Sequence, residues 1–366
     1  MRIIHCSDLH LDSKMRSNLD KDKARERRSE ILRNFDRLVS FALQNSVKAI
    51  LIAGDLFDTN IISATAKNAV YSAIKDNPEI DFYYLKGNHD RDNFISDMPE
   101  LPGNLHTFTD EMTSYPLGET GLIKLYGAEL SENSASVQTG FTPDPSMINI
   151  VMLHGQESGS LSKDKAEIID IKQFRNKGIN YLALGHVHEY KCEPLDSEGV
   201  YCYSGCLEGR GFDECGEKGF VLLSVDEEKK SVTHEFVPFS QRKLYCIEAD
   251  ITDMLTSREI VGVVREKLIN SGAGSGDMVK VVLTGRVDVT CEKDTEYIVK
   301  LFEDDYYFIK VYDETQRKVD YDRYMLDESL KGEFVRLVKE SDLSEEKKAT
   351  IIMYGLNAIS GGKFVE

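Results

Sequence analysis

The chain has 366 residues, of which 41% are hydrophobic and 30% charged, with a formal net charge of −18 and a pI near 5.0. That length is more than one ordinary core fills and points to two or three units; the composition is that of a soluble globular chain, with no apolar run long enough to span a bilayer. Such acidity argues against a protein that holds nucleic acid by its overall field, so any contact of that kind has to be local.

In chain order, a strand-like run at Arg2–Cys6 opens the sequence without a basic leader or cleavage signal, from which a cytoplasmic protein is expected. Asp8-Leu9-His10 follows it. Lys14, Arg16, Lys21, Lys23, Arg25, Arg27 and Arg28 then make a locally basic stretch. It reads equally as a patch facing DNA or as a solvated helix face laced with Asp20, Asp22 and Glu26. Ile31, Phe35, Leu38 and Ala42, at three- and four-residue steps, predict an amphipathic helix from about Asp22. The apolar run Ala49–Ala53 leads into Gly54-Asp55, and Ser63 caps a second helix carrying Ala66, Val70, Ala73 and Ile74 on one face. Residues 80–85 form a third strand, which ends on Gly87-Asn88-His89-Asp90.

Residues 91–121 are polar with Pro and Gly and predict a long surface loop; 122–128 resume as a strand, and 131–146 read as another loop. The run 148–153 leads into His154-Gly155, and 181–184 into Gly185-His186-Val187-His188. Alternating stretches at 200–204, 219–225 and 231–239 complete the sheets. Strands alternating with helices predict a layered α/β domain over 1–240. Residues 241–315 predict a small α/β module of three strands and two helices. The remainder, 316–366, reads as a charged linker and two helices. Phe334, Leu337 and Val338, then Ile351, Ile352, Tyr354 and Leu356, give those helices apolar faces that need cover from this chain or another. The seven cysteines, an odd number without regular spacing, predict ordinary reduced thiols. Cys192, Cys202, Cys206 and Cys215 cluster loosely, without zinc-site spacing.

The chemistry gathers at the strand ends, where open α/β sheets keep their sites. Singly, each polar residue there is better read as turn chemistry or as a hydrogen-bonded structural histidine. Collectively they are not: five of the eight histidines fall in these motifs, while His5, His106 and His234 keep a structural reading. On an extended backbone Asp8 and His10, or His186 and His188, point the same way and reach a common centre. Asp8, His10, Asp55, Asn88, His154, His186 and His188 offer more ligands than one ion uses. Carboxylate, amide and imidazole together suit Mn, Fe or Zn rather than Ca or Mg. If one carboxylate bridges, two ions fit.

The ordered set Asp-x-His, Gly-Asp, Gly-Asn-His-Asp, His and Gly-His-x-His resembles the calcineurin-like metallophosphoesterase superfamily. That resemblance implies the layered fold of that superfamily, two mixed β-sheets flanked by helices, with Asp8, His10, Asp55 and His188 around a first divalent ion, and Asp55, Asn88, His154 and His186 around a second. Manganese is foremost, with iron or zinc as alternatives, and His89 is the catalytic acid. Two ions roughly 3.5 to 4 Å apart would lower the pKa of a shared water and stabilise in-line displacement at phosphorus. His89 would serve the departing oxygen.

His10-Leu11-Asp12-Ser13, Gly54-Asp55-Leu56-Phe57-Asp58 and the segment Tyr203-Ser204-Gly205-Cys206-Leu207-Glu208-Gly209-Arg210-Gly211-Phe212 narrow the likeness to the SbcD nuclease family, some members of which carry His where Asp58 stands. This implies a DNA exonuclease or endonuclease subunit, homodimeric through helices of the nuclease domain. It also implies a capping domain that presents DNA and terminal helices that bind an SbcC-like ATPase. Arg91, Arg210, Lys14 and Arg16 are the candidate phosphate or DNA contacts. Two rivals remain at this stage. One is a hydrolase of small phosphodiesters or phosphomonoesters, which the acidic charge favours; the other is a metal-fixed scaffold without activity, against which the intact His89 counts.

Overall fold

The computed structural model describes residues 1–15, 19–58, 62–90, 93–130, 134–158 and 168–359. Two compact units divide the chain, Met1–Gln241 and Arg242–Glu366.

The first unit runs β1 (Arg2–Cys6), α1 (Lys21–Gln44), β2 (Ala49–Ala53), α2 (Ala64–Lys75), β3 (Asp81–Leu85), α3 (Asn93–Ser96), β4 (Leu105–Thr107), β5 (Thr113–Leu117) and β6 (Ile123–Gly127). It continues with α4 (Ser134–Gly140), β7 (Ile148–His154), β8 (Gln156–Glu157), β9 (Ile168–Ile169), β10 (Ile179–Gly185), β11 (Lys191–Pro194), β12 (Val200–Tyr203), β13 (Gly219–Asp226) and β14 (Ser231–Pro238). Two six-stranded mixed sheets result, ordered β14-β13-β1-β2-β3-β4 and β11-β12-β10-β7-β6-β5. This is the layered α/β domain that the strand and helix pattern predicts, in the two-sheet form that the family resemblance implies.

Strand alternation distributes the core. In the first sheet Ile4, Cys6, Ile50 and Ile52 face Ile31, Phe35 and Leu38 of α1. Ile3, Leu51 and Ala53 face the other way, onto Ile148, Ile150, Met152 and Tyr181 of the second sheet. The far side of the second sheet buries Val151, Leu153, Leu182 and Leu184 with Phe174. Helix α1 starts where expected because the Asp20 carboxylate accepts the Asp22 and Lys23 amides, and Ser63 does the same for α2 through Ala66. β1, β2 and β3 are mutually parallel, as are β6, β7, β10 and β12. The carboxyl ends that bear the polar motifs are therefore collected along one edge of the sandwich.

Three expectations need correction. The loop expected over 91–121 contains α3, β4 and β5, and 131–146 contains α4. Strands this short carry little periodicity, and β5 is a sheet edge, the one place where a strand tolerates a proline such as Pro116. His106 lies in β4 rather than a loop, its ring stacked on that of Tyr83 at 4.6 Å. Finally, Cys192 and Cys202 are not free thiols: they form a disulfide, whereas Cys6, Cys206, Cys215, Cys246 and Cys291 are free. The spacing along the chain hides this pair, because a β-hairpin sets the two residues opposite each other.

The second unit comprises β15 (Leu244–Asp250), α5 (Ser257–Ser271), β16 (Met278–Thr284), β17 (Arg286–Asp288), α6 (Thr295–Phe302), β18 (Phe308–Asp313), β19 (Gln316–Lys318), α7 (Tyr321–Met325), α8 (Leu330–Lys339) and α9 (Glu345–Ile359). β15, β16 and β18 make a parallel sheet whose Ala249, Val281 and Ile309 pack on Ile260, Val264 and Ile298 of α5 and α6. The stretch read as a charged linker holds β19, paired with β17, and the start of α7. Tyr324, Val335, Ile352 and Leu356 form a small core among the last three helices, with Phe334 and Val338 against it. Four of the seven predicted apolar residues, Phe334, Val338, Ile352 and Leu356, are thus covered by this unit itself. No helix among the described residues is long and apolar enough to cross a membrane.

Candidate metal centre

The loops after β1 and β2 run side by side. Asp8 N donates to Gly54 O at 3.0 Å, His10 N to Asp55 O at 3.0 Å and Leu11 N to Leu56 O at 2.9 Å. The backbone is not extended there, as the two-residue spacing argument assumes: Asp8, His10 and Asp55 have φ of 52°, 45° and 52°, and His186 has 102°. These non-glycine residues sit in left-handed turns that cost roughly 1–2 kcal/mol each. The same residues converge, for a different local reason. Close approach also explains two glycines of the motifs. A Cβ on Gly54, at φ +88°, would lie 2.1 Å from His154 Nδ1, and one on Gly185 would lie 1.9 Å from the Ala53 carbonyl oxygen.

Asp8, His10 and His188 bring one ligand-capable atom each within 4.8 Å of one another, and so do Asp8, Asp55 and His154. Asp8 is common to the two sets, and Asp55 also approaches both, its Oδ2 lying 3.7 Å from His10 Nε2 and 3.6 Å from His154 Nε2. Asn88 Oδ1 is 3.0 Å from His154 Nε2. His186 is joined differently: its ring is 5.4 Å from that of His154, and its backbone N–H donates to both oxygens of Asp8 at 3.1 and 3.0 Å. His89 is exposed, its ring 5.1 Å from that of buried His10, and its backbone N–H donates to Asp55 Oδ1 at 2.9 Å. With His10 and Asp58 it forms a further group of converging donors.

Partners on the outer side fix the rings. His188 Nδ1 donates to Glu214 Oε1 at 2.7 Å, and His154 Nδ1 to the Ala53 carbonyl at 2.9 Å. Both imidazoles are thereby held with Nε2 turned inward, where the neutral ring offers a lone pair. Asp58 Oδ1 lies 3.1 Å from His10 Nδ1, off the line of a hydrogen bond. Arg210 clamps the two carboxylates, reaching Asp58 at 2.6 Å and Glu214 at 2.8 Å. Asp90 accepts the Leu56, Phe57 and Gly87 amides at 3.1, 3.0 and 3.1 Å, tying the second and third motifs together.

Burial and neighbouring charge act together on Asp8, Asp90 and four of the histidines. Burial would raise the Asp8 carboxyl, but the His154, His188 and His10 charges bring it below the ordinary value. Burial lowers His10 and His186. It works the same way on His154 and His188, yet Asp55 and Asp8 raise the former, and Glu214 with Asp8 raise the latter. Burial and the Asp55 charge push Asp90 up to about 6.

The donor set fits a divalent ion. His10 Nε2 and His188 Nε2 face each other at 3.2 Å, and the inward lone pair of His154 faces oxygens of Asn88 and Asp55. With these nitrogens unprotonated, acceptors are aimed at acceptors and repel unless a cation lies among them. Bonds of about 2.1 Å place neighbouring ligand atoms roughly 3.0–3.5 Å apart, close to the separations observed.

The remaining sequence candidates have other surroundings. Lys14 is exposed, and Arg16 and Arg91 lie outside the described residues. Arg210 is engaged by Asp58 and Glu214 rather than free. Arg27, in the basic stretch, is buried and pairs with Glu30 at 2.7 Å and Glu208 at 2.9 Å. His5 donates to or accepts from the Tyr181 hydroxyl at 2.9 Å, and burial pushes its pKa down to about 3. Reading the sequence missed Glu214 and the bridging role of Asp58. Asp58 closes the motif that follows β2, but nothing local in the sequence shows that it meets Arg210, and Glu214 lies outside every strand-end motif.

A two-sheet sandwich whose strand ends converge carboxylates and imidazoles on a candidate divalent-ion site has the arrangement of a metallophosphoesterase. A profile of the calcineurin-like phosphoesterase family matches residues 1–190, and the chain belongs to that family, whose members bind divalent metal ions. It is 29% identical over 249 residues to the uncharacterized metallophosphoesterase YhaO of Bacillus subtilis, covering 64% of this chain and 60% of that protein. The DNA double-strand break repair protein Mre11 of Methanopyrus kandleri is 26% identical over 312 residues, covering 77% of this chain and 64% of that one. Its namesake from Saccharolobus solfataricus is 24% identical over 395 residues, covering 100% and 97%. The chain thus spans about three fifths of the length of the first two relatives.

Proposed function

We propose that this protein is a two-metal phosphodiesterase acting on DNA, the nuclease subunit of an SbcCD-like repair complex. The observation that carries the reading is the convergence of inward-facing acceptors from His10, His188, His154, Asp8 and Asp55 with the exposed His89 beside them. Asp8, His10, Asp55 and His188 would hold one ion, and Asp55, Asn88, His154 and His186 the other, manganese being the first choice. Two divalent ions, when bound, supply an activated nucleophile and neutralise phosphoryl charge. Asp55 is the shared carboxylate. Its Oδ1 also anchors the His89 backbone, which sets that imidazole at the open side of the site. From there His89 would give its proton to the departing ester oxygen.

DNA as substrate is supported by the relatives named for double-strand break repair and by the exposed cations Lys14, Lys21, Arg25 and Arg28 that follow the first motif. An ATPase partner is supported by exposed leucines of the second unit, Leu326, Leu330 and Leu337, at 88%, 69% and 62% exposure. A homodimer and a cytoplasmic location belong to the same proposal. The net charge of −18 favours a second reading, a hydrolase of small phosphate esters.

The test is Mn-dependent release of nucleotides from linear duplex and single-stranded DNA, run beside bis-para-nitrophenyl phosphate. His89→Asn should keep its metal while hydrolysis falls roughly 10²–10⁴-fold. Full activity in that variant would remove His89 from the chemistry. Cleavage of the small ester with DNA untouched, even in the presence of the ATPase, would favour the second reading.

A further inference from the structure

We propose that Cys192 and Cys202 are a reversible dithiol–disulfide site that reacts with hydroperoxides, Cys192 being the attacking sulfur, Cys202 the resolving one and His234 the base. Cys192 lies on β11, the edge of one sheet, and Cys202 is its direct partner on β12. His234 comes from β14, the edge of the other sheet, and its Nε2 is 3.3 Å from Cys192 Sγ. The site therefore closes the open end of the sandwich, next to the Tyr190–Phe236 stack at 4.5 Å. No other cysteine pair is joined among the described residues.

Access assigns the roles. Cys202 is 0% exposed and belongs to the core between the sheets, whereas Cys192 is half-buried and His234 exposed. Of the two, only Cys192 can meet a dissolved oxidant. With its proton passed to His234, the Cys192 thiolate attacks the O–O bond. An S–O bond forms, and the leaving oxygen departs with the O–O electron pair and takes up a proton. Cys192 is then a sulfenic acid, oxidised by two electrons, and the hydroperoxide is reduced by two. The Cys202 sulfur attacks Cys192, the S–S bond forms, the S–O bond breaks, and water leaves with the Cys202 proton. The β11–β12 ladder holds the sulfurs adjacent in the reduced state as well, so this second step is intramolecular and fast. A thiol reductant reverses the sequence.

The experiment uses the full chain, reduced with dithiothreitol and stripped of metal by a chelator, then given hydrogen peroxide. Intact mass and peptide maps should show the loss of two hydrogens, confined to the peptides carrying Cys192 and Cys202 and restored by dithiothreitol. Cys202→Ser should arrest at the sulfenic acid and be captured by dimedone at Cys192. Cys192→Ser should leave Cys202 unreacted, and His234→Ala should slow the first step on the order of 100-fold. In the unmutated reduced chain, maleimide should label Cys192 ahead of Cys202. Three results would overturn the proposal: a bond that dithiothreitol cannot open in the folded chain, no dimedone adduct in Cys202→Ser, or a zinc ion held by these two thiols and His234 that blocks oxidation when zinc is supplied.

Discussion

Replacing Glu214 tests whether the centre depends on residues that never touch an ion. Its Oε1 accepts from His188 Nδ1 at 2.7 Å and from Arg210 Nη2 at 2.8 Å, and its Oε2 takes the Arg210 backbone N–H at 2.7 Å. Glu214 is 6% exposed and His188 29%, so water replaces these bonds poorly. Loss of such an outer carboxylate typically costs 10- to 100-fold in metal affinity, or about 1.4–2.7 kcal/mol. Glu214→Ala should weaken Mn2+ binding by that factor. It should also cost on the order of 1–3 kcal/mol of stability through the unsatisfied Arg210 backbone N–H. Glu214→Gln keeps an acceptor oxygen for His188 and should recover most of the affinity. The assay is titration of chelator-stripped protein with Mn2+, free ion being read by electron paramagnetic resonance and fold by circular dichroism. A folded Glu214→Ala protein that binds within about twofold of the unmutated chain would refute the positioning argument, since an oriented ring predicts tenfold or more.

Asp55→Ala should remove the carboxylate shared by His10 and His154 and abolish stoichiometric binding at both positions; retention of two ions on titration would place the bridge elsewhere. Gly54→Ala combines a φ of +88° with a Cβ 2.1 Å from His154 Nδ1, so a loss of roughly 2–4 kcal/mol is expected in urea unfolding, together with weakened metal binding. Arg27→Ala leaves Glu30 and Glu208 buried without their cation, which should cost about 3–5 kcal/mol. A midpoint within experimental error of the unmutated protein would show that those carboxylates have found another partner.

The strand-end motifs were legible because an apolar run that stops at a polar cluster is visible in one dimension, and every such run here ends on the same edge of the sandwich. The reason first given for their convergence does not hold. Asp8 and His10 approach the site through left-handed turns, a conformation that no pattern of residue types announces for Asp or His. What could not be read was whatever joins distant segments. Arg210 meets Asp58 across 152 positions and Arg27 meets Gly209 across 182, so both looked like free cations in the sequence. Short strands such as β4, β11 and β19 escaped for want of a repeat. The disulfide escaped because only hairpin register sets Cys192 against Cys202.

The strained turns and the carboxylate clamps explain each other. A left-handed Asp or His persists only where its surroundings overdetermine it, and here they do. The loops after β1 and β2 bind each other through Asp8 N and His10 N, while Asp90 holds the Asp55 loop to Gly87 through three amides. Arg210 then ties Asp58 and Glu214, the partners of His10 and His188, into one unit. The inward-facing acceptors are therefore held together by backbone and by buried charge before any ion arrives. Repulsion among them is the remaining unfavourable contribution, and a divalent cation removes it. On this view the acidity in the clamps serves the architecture of the centre, and of the cations offered as phosphate contacts Arg210 is engaged by those clamps while Lys14 on the first loop is exposed.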